Sequence, residues 1–140
     1  MLGSMNESTE LRVRFSVQDE ELSDLHARAF GNPMGEVIPW ASRLSQHSLT
    51  WIGAFDGETL TGFVHACWDG GLHAFLLDTV VDPTYQRRGL GQALVQALIE
   101  QVKESSCEWL HVDYEPHLSD FYIKACGFST TSAGLLQLQA

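Results

Sequence analysis

The chain has 140 residues, of which 44% are hydrophobic and 19% charged, which suits one domain with its own core and argues against a disordered segment. Its formal charge is −10, a surface that repels phosphate backbones and anionic lipid, so nucleic acid and membranes are not expected partners. No apolar run reaches the roughly 18 residues that a membrane span requires.

Residues 1–5, Met-Leu-Gly-Ser-Met, read as a cloning remnant, which leaves 6–140 as a single domain. Leu11, Val13, Phe15 and Val17 alternate with polar residues, as on a half-buried strand. Ser16 and Asp19 resemble a capping pair, and Glu20 and Glu21 put negative charge in the first turn of a helix carrying Leu22, Leu25, His26, Ala29 and Phe30. Gly31-Asn32-Pro33 ends that helix, and 31–47 is irregular apart from a short helix after Pro39. "LTWIGAF" and "TLTGFVHACW" flank Asp56-Gly57 as a hairpin. "LHAFLLDTVV" is apolar on both faces and reads as a central strand. Leu90, Leu94, Val95, Leu98, Ile99 and Val102 then form the buried stripe of a long helix. "EWLHVD" reads as a strand, "HLSDFYIKACGF" as a helix ended by Gly127, and "GLLQLQA" as a last alternating strand. A strand–helix–strand unit of this length implies a parallel crossover, hence a mixed α/β sheet with helices on both faces. Cys67, Cys107 and Cys126, odd in number and without a Cys-x-x-Cys pair, fit reduced thiols and a cytoplasmic location.

The junction between the central strand and the long helix carries the chemistry. Gln86-Arg87-Arg88-Gly89-Leu90-Gly91 leads directly into a helix whose first N–H groups lack intrahelical partners. Glycines let a ligand approach that backbone, the helix dipole favours negative charge and two arginines add full charges; the combination suits a pyrophosphate. A Walker loop is excluded because GxxxxGK[ST] is missing, and a dinucleotide fingerprint because Leu94 stands where its third glycine belongs.

Val81-Asp82-Pro83-Thr84-Tyr85-Gln86-Arg87-Arg88-Gly89-Leu90-Gly91 resembles the V-x-P-x-Y-x-x-[RK]-G-x-G segment of the GCN5-related N-acetyltransferases, and the order of elements from about residue 11 onward is similar to that family's. The resemblance implies a mixed, mostly antiparallel sheet of about six to seven strands with a splayed parallel pair. It implies acetyl-CoA as co-substrate, with Thr79, Val80 and Val81 contacting the pantetheine arm. Gln86, Arg87, Arg88, Gly89, Leu90, Gly91 and Gln92 are then the residues around the phosphates, and the N–H of Val81 faces the thioester oxygen. The implied reaction is direct transfer of an acetyl group to a primary amine of a small molecule or peptide in a ternary complex. A non-catalytic acyl-CoA sensor or an enzyme for a longer acyl group are the alternatives.

An alkylammonium is only about 1 part in 10³ neutral at pH 7, so a base assists. The family's frequent glutamate, six residues before the valine, is Phe75 here. Asp78, a lone carboxylate inside "FLLDTVV", is the replacement candidate for that base; its alternative is a structural partner for backbone at a bulge. His73, His111 and Asp113 are weaker candidates, and their spacing gives no metal motif. The family's thiolate-protonating tyrosine aligns with Ile123, whereas Tyr122 lies five residues before Gly127. One residue turns a helical side chain by about 100°, so Tyr122 as general acid requires a shifted turn; otherwise it lines core or cleft. Trp40 and Trp68 either line an acceptor pocket or cover core. Oligomeric state stays open, a homodimer included.

Overall fold

The computed structural model describes residues 8–140; the remnant expected at 1–5 and the start of the domain lie outside the described residues. Five strands form one sheet in chain order: β1 (Thr9–Val13), β2 (Ser48–Asp56), β3 (Thr59–Trp68), β4 (His73–Val81) and β5 (Trp109–Val112). The first three neighbouring pairs are antiparallel, and β4 and β5 run parallel. The β2–β3 hairpin turns at Gly57, whose φ of 62° suits a residue without a Cβ.

Helices cover the two faces separately. On one side α1 (Asp19–Ala29) and α2 (Trp40–His47) bury Leu22, Leu25, Trp40 and Leu44 against Phe55, Leu60, Phe63 and Val80. On the other, α3 (Leu90–Lys103) buries Leu90, Leu94, Val95, Leu98 and Val102 against Ile52, Val64, Ala74 and Leu76. The periodic stripe predicted for α3 is the face that packs, apart from Ile99, which is only partly buried. At Gly62 a Cβ would come 2.8 Å from Leu94 Cδ1, so the absence of a side chain there lets α3 settle onto the sheet. Trp40 is core, packed edge-on against Phe63, and Trp68 is partly buried against the α3 side. No helix among the described residues is long and apolar enough to cross a membrane.

Three expectations change. Ser16 and Asp19 do not form a cap: the helix starts at Asp19 after Gln18, which makes no side-chain cap, and Asp19 instead accepts a hydrogen bond from the Ala41 N–H at 2.8 Å. Tying α1 to α2 outcompetes the local cap. The helix expected across 117–128 is a 3₁₀ turn (Pro116–Leu118) followed by a π turn (Asp120–Ala125), in which the Cys126 N–H bonds the Phe121 carbonyl at 3.0 Å. Finally, among the described residues the sheet has five strands rather than six or seven, because 129–140 is exposed and pairs with no strand. Alternation in "GLLQLQA" specifies a face but supplies no neighbouring strand, and a strand without a ladder is not a stable element.

Candidate active site

The site begins with one surplus residue. The β3–β4 register runs Cys67–Phe75, Ala66–Leu76, His65–Leu77 and then Phe63–Val80, so Asp78 and Thr79 together face Val64. This is a β-bulge, and Asp78 takes φ 58°, a left-handed conformation uncommon for a residue with a side chain. The surplus residue reverses the facing of the strand. Ala74 and Leu76 pack on the α3 side before it, whereas Val80 packs on the α1–α2 side after it. Pairing with β5 ends at Leu76–Val112, so β4 from Leu77 onward has no strand on that edge. The Asp82 N–H bonds back to Thr61 of β3 at 2.8 Å; the alternation of an antiparallel ladder therefore turns the Val81 N–H outward, into the gap.

A cleft of about 420 Å³ fills this gap, lined on one side by Thr79, Val81, Tyr85, Gln86 and Arg87 and on the other by Leu118, Phe121 and Tyr122, with Gly89 to Gln92 at its mouth. The loop into α3 is anchored from several directions. Asp82 pairs with Arg28 of α1 and accepts the Thr84 N–H at 2.9 Å, and Tyr85 donates to Asp56 at 2.7 Å. Burial opposes ionisation of Asp82, but the bonds from Arg28 and Thr84 prevail and hold its carboxyl below the usual range. Arg87 (φ 64°) and Gly89 (φ 78°) both adopt left-handed conformations, a backbone arrangement that gathers N–H groups into an anion-binding concavity at the α3 N-terminus. These residues fit a pyrophosphate. A larger depression of about 1220 Å³ lies beside Phe15, Asp19 and Glu21; its lining includes several carboxylates and no residue of the bulge or of the loop into α3.

The π turn places Tyr122 in this cleft. Its hydroxyl donates to Thr79 Oγ1 at 3.2 Å, and burial pushes the phenol above its ordinary value, so it stays protonated. On the opposite face of the sheet, Asp78 lies between two imidazoles: His26 Nε2 at 3.0 Å and His65 Nε2 at 2.8 Å. Burial acts to raise the Asp78 pKa, but the bonds from His26 and His65 outweigh it, and the carboxyl lies well below the usual range. The second nitrogen of His65 meets Ser48 Oγ at 2.9 Å. The His26 ring packs at a tilt against both Phe30 and Trp40 and remains partly exposed.

Not every residue singled out from the sequence lines the cleft. The Val80 side chain is buried under α1 and α2. Arg88 turns back to the Thr84 carbonyl at 3.2 Å and over the Tyr85 ring. His73 and His111 pair with each other at 2.7 Å on β4 and β5, apart from the Asp78 cluster. Among the described residues no group of three His, Cys, Asp or Glu could hold a metal. Burial pushes the Cys126 thiol up to about 11, which suits a packing role rather than a nucleophile. Sequence reasoning did not single out His26, His65, Leu118 or Phe121. The available signal was that a carboxylate in an apolar strand needs a buried partner, and "FVHACW" offers one.

The acetyltransferase (GNAT) family model matches residues 15–128. GCN5-related N-acetyltransferase 1, chloroplastic, of Arabidopsis thaliana is 32% identical over 92 residues, 64% of this chain and 46% of that protein. A Trypanosoma brucei acetyltransferase superposes with a TM-score of 0.76 at 21% identity, over 92% of this chain and 98% of that one. The aminoglycoside N-acetyltransferase AAC(6′)-Iy, solved in complex with CoA, superposes with a TM-score of 0.72 at 20% identity, over 94% of each chain. At these identities the structures share a fold with this chain. The chain spans less than half the length of the curated relatives it matches. The family match begins just after the first strand, takes in the bulge and the anion loop and ends just past the π turn, and the chain belongs to the acetyltransferase (GNAT) family.

Proposed function

We propose that this chain transfers the acetyl group of acetyl-CoA to the primary amine of a small molecule or peptide by direct attack. One observation carries the reading: the bulge sets Asp78, with its two imidazoles, on one face of β4 and Thr79, with Tyr122, on the other, beside a cleft that ends in an anion loop.

Each residue has a definable task. Backbone N–H groups from Arg87 to Gln92 and the Arg87 guanidinium hold the diphosphate, while Thr79 and Val81 align the pantetheine arm along the open edge. The Val81 N–H steadies the charge that develops on the thioester oxygen. Tyr122, kept protonated by burial, supplies a proton to the departing thiolate. The base assignment moves by one residue contact. Asp78 holds its own proton too weakly to remove one from an ammonium, but it accepts the Nε2–H of His26 and so presents Nδ1 as the acceptor. In this reading His26 takes the amine proton, Asp78 is its positioning residue, and His65, held between Ser48 and Asp78, fixes the carboxylate. That the fold neighbour AAC(6′)-Iy is named for an aminoglycoside supports small amines as an acceptor class.

The test is calorimetric titration with CoA and acetyl-CoA, followed by release of free thiol across a panel of small amines and peptides. Saturable binding with amine-dependent thiol release supports the reading. Absence of binding overturns it; binding with thiol release only at the background rate replaces transfer with a sensor role.

A further inference from the structure

Helix α1 is held at both flanks by carboxylates from one stretch of chain. Asp78 in β4 and Asp82, the residue that follows β4, are four positions apart, roughly 13 Å of extended backbone. An α-helix with its side chains is about 10–12 Å wide, so one helix fits between them. Val80, midway, is buried against Leu22 and Leu25 of α1. His26 and Arg28 are two residues apart, hence about 200° apart round the helix axis, and stand on opposite sides of that buried stripe. His26 reaches Asp78 at 3.0 Å from one flank, and Arg28 pairs with Asp82 from the other. Turning α1 about its axis lifts one of these side chains away from its carboxylate.

The Asp82 contact differs from an ordinary surface pair. Its side chain is 10% exposed, so loss of the guanidinium would leave a mostly buried charge without its cation. Its two oxygens serve different elements. Oδ2 faces Arg28, and Oδ1 accepts the Thr84 N–H and the Thr84 hydroxyl, both at 2.9 Å. Thr84 belongs to the 3₁₀ turn (Pro83–Tyr85) that leads into the anion loop. One carboxylate therefore ties the entry to the phosphate site to the helix that carries His26. Arg28 also donates to Asp24 at 2.8 Å, one turn earlier on α1, which holds the guanidinium against its own helix.

We infer, on the reading in which His26 takes the amine proton, that Arg28 is a positioning residue for the transfer: through Asp82 it sets the rotation of α1, and with it the reach of the His26 imidazole toward an amine beside the thioester. Arg28 touches neither co-substrate nor acceptor in this role. Its effect is geometric, because a catalytic group displaced by a fraction of a bond length loses rate steeply.

Arg28→Met keeps most of the length of the side chain and removes the pair. Long-range proton–nitrogen spectra of the imidazoles read the consequence without turnover. In the parent chain the neutral His26 ring is expected as the Nε2–H tautomer, held by Asp78. In Arg28→Met it should become a mixture of tautomers, whereas Asp24→Asn, which leaves the Asp82 pair in place, should not alter it. An unchanged His26 signal in Arg28→Met overturns the inference. In steady-state assays Arg28→Met should lower kcat about tenfold or more for a strongly basic amine and much less for a weakly basic one. In a His26→Gln background the same substitution should lower kcat no further, since both act on one step. Losses that multiply, or a kcat that does not change, confine Arg28 to holding the loop and overturn the inference. If His26→Gln itself leaves kcat unchanged while the His26 spectrum of Arg28→Met shifts, the base assignment is what fails, and the role of Arg28 falls with it. Should Arg28→Met not fold, Arg28→Lys gives the same readings at smaller amplitude, since an ammonium cannot bridge Asp24 and Asp82 as a planar guanidinium does.

Discussion

The Tyr122 hydroxyl reaches across the splayed end of the sheet to Thr79 Oγ1 at 3.2 Å, and the π turn around Tyr122 is what aims it there. In a regular α-helix the residue following Tyr122 would face this direction, one step of about 100° away.

Tyr122→Phe removes the hydroxyl and leaves the ring. Loss of one partly buried hydrogen bond costs about 0.5–1.5 kcal/mol of stability. Loss of a proton donor to the thiolate lowers kcat by on the order of 10²-fold or more, with CoA affinity unchanged. Stopped-flow detection of thiol, together with calorimetry, separates these two effects; an unchanged kcat removes Tyr122 from the mechanism.

His26→Gln is expected to lower kcat for the amine by about 10²-fold while KM for acetyl-CoA stays within twofold. The loss should be greatest at neutral pH and shrink for weakly basic amines, which arrive already deprotonated. Equal losses for strong and weak amines would assign His26 to packing against Phe30 and Trp40.

Asp78 gives a pH-dependent stability. Its carboxyl titrates below the value of about 3.9 for an unfolded aspartate, so the unfolded chain binds the proton more avidly. The stabilisation is complete above about pH 4 and disappears as the pH falls through the folded-state value. The stability gap between the parent chain and Asp78→Asn, of about 1–3 kcal/mol for breaking a buried charged hydrogen-bond pair, should therefore be widest above pH 4 and narrow below it. Urea titrations across the acid range measure this directly.

Arg87 and Arg88 should differ although they are adjacent. Arg87 lines the cleft, while Arg88 is turned onto Thr84 and Tyr85. Arg87→Ala is expected to weaken CoA binding about tenfold or more, from a charge-assisted contact worth about 1.5–3 kcal/mol, and to flatten its salt dependence. Arg88→Ala should change affinity less than threefold by calorimetry. Gly89→Ala, at φ 78°, should cost about 1–2 kcal/mol in thermal unfolding and also weaken CoA binding.

Much of this was legible before the fold was seen. The α3 stripe, the Asp56-Gly57 hairpin and the loop from Val81 to Gly91 depend on local periodicity and turn chemistry, which a sequence displays directly. The bulge does not. An extra residue in β4 is visible only against the register of β3, so the meeting of Asp78 with His26 and His65, 52 and 13 residues away, could not be read from spacing. The π turn is also a tertiary outcome, since one added residue per turn leaves no periodic signature over six residues. The alternation at 135–140 was real but described a face without a neighbour.

The peptide joining Asp78 to Thr79 carries two arrangements on opposite sides of the sheet, the carboxylate between two imidazoles and the hydroxyl under Tyr122. Deleting the surplus residue would therefore disturb both faces of β4 in one step, the carboxylate with its imidazoles and the tyrosine contact with the cleft it lines.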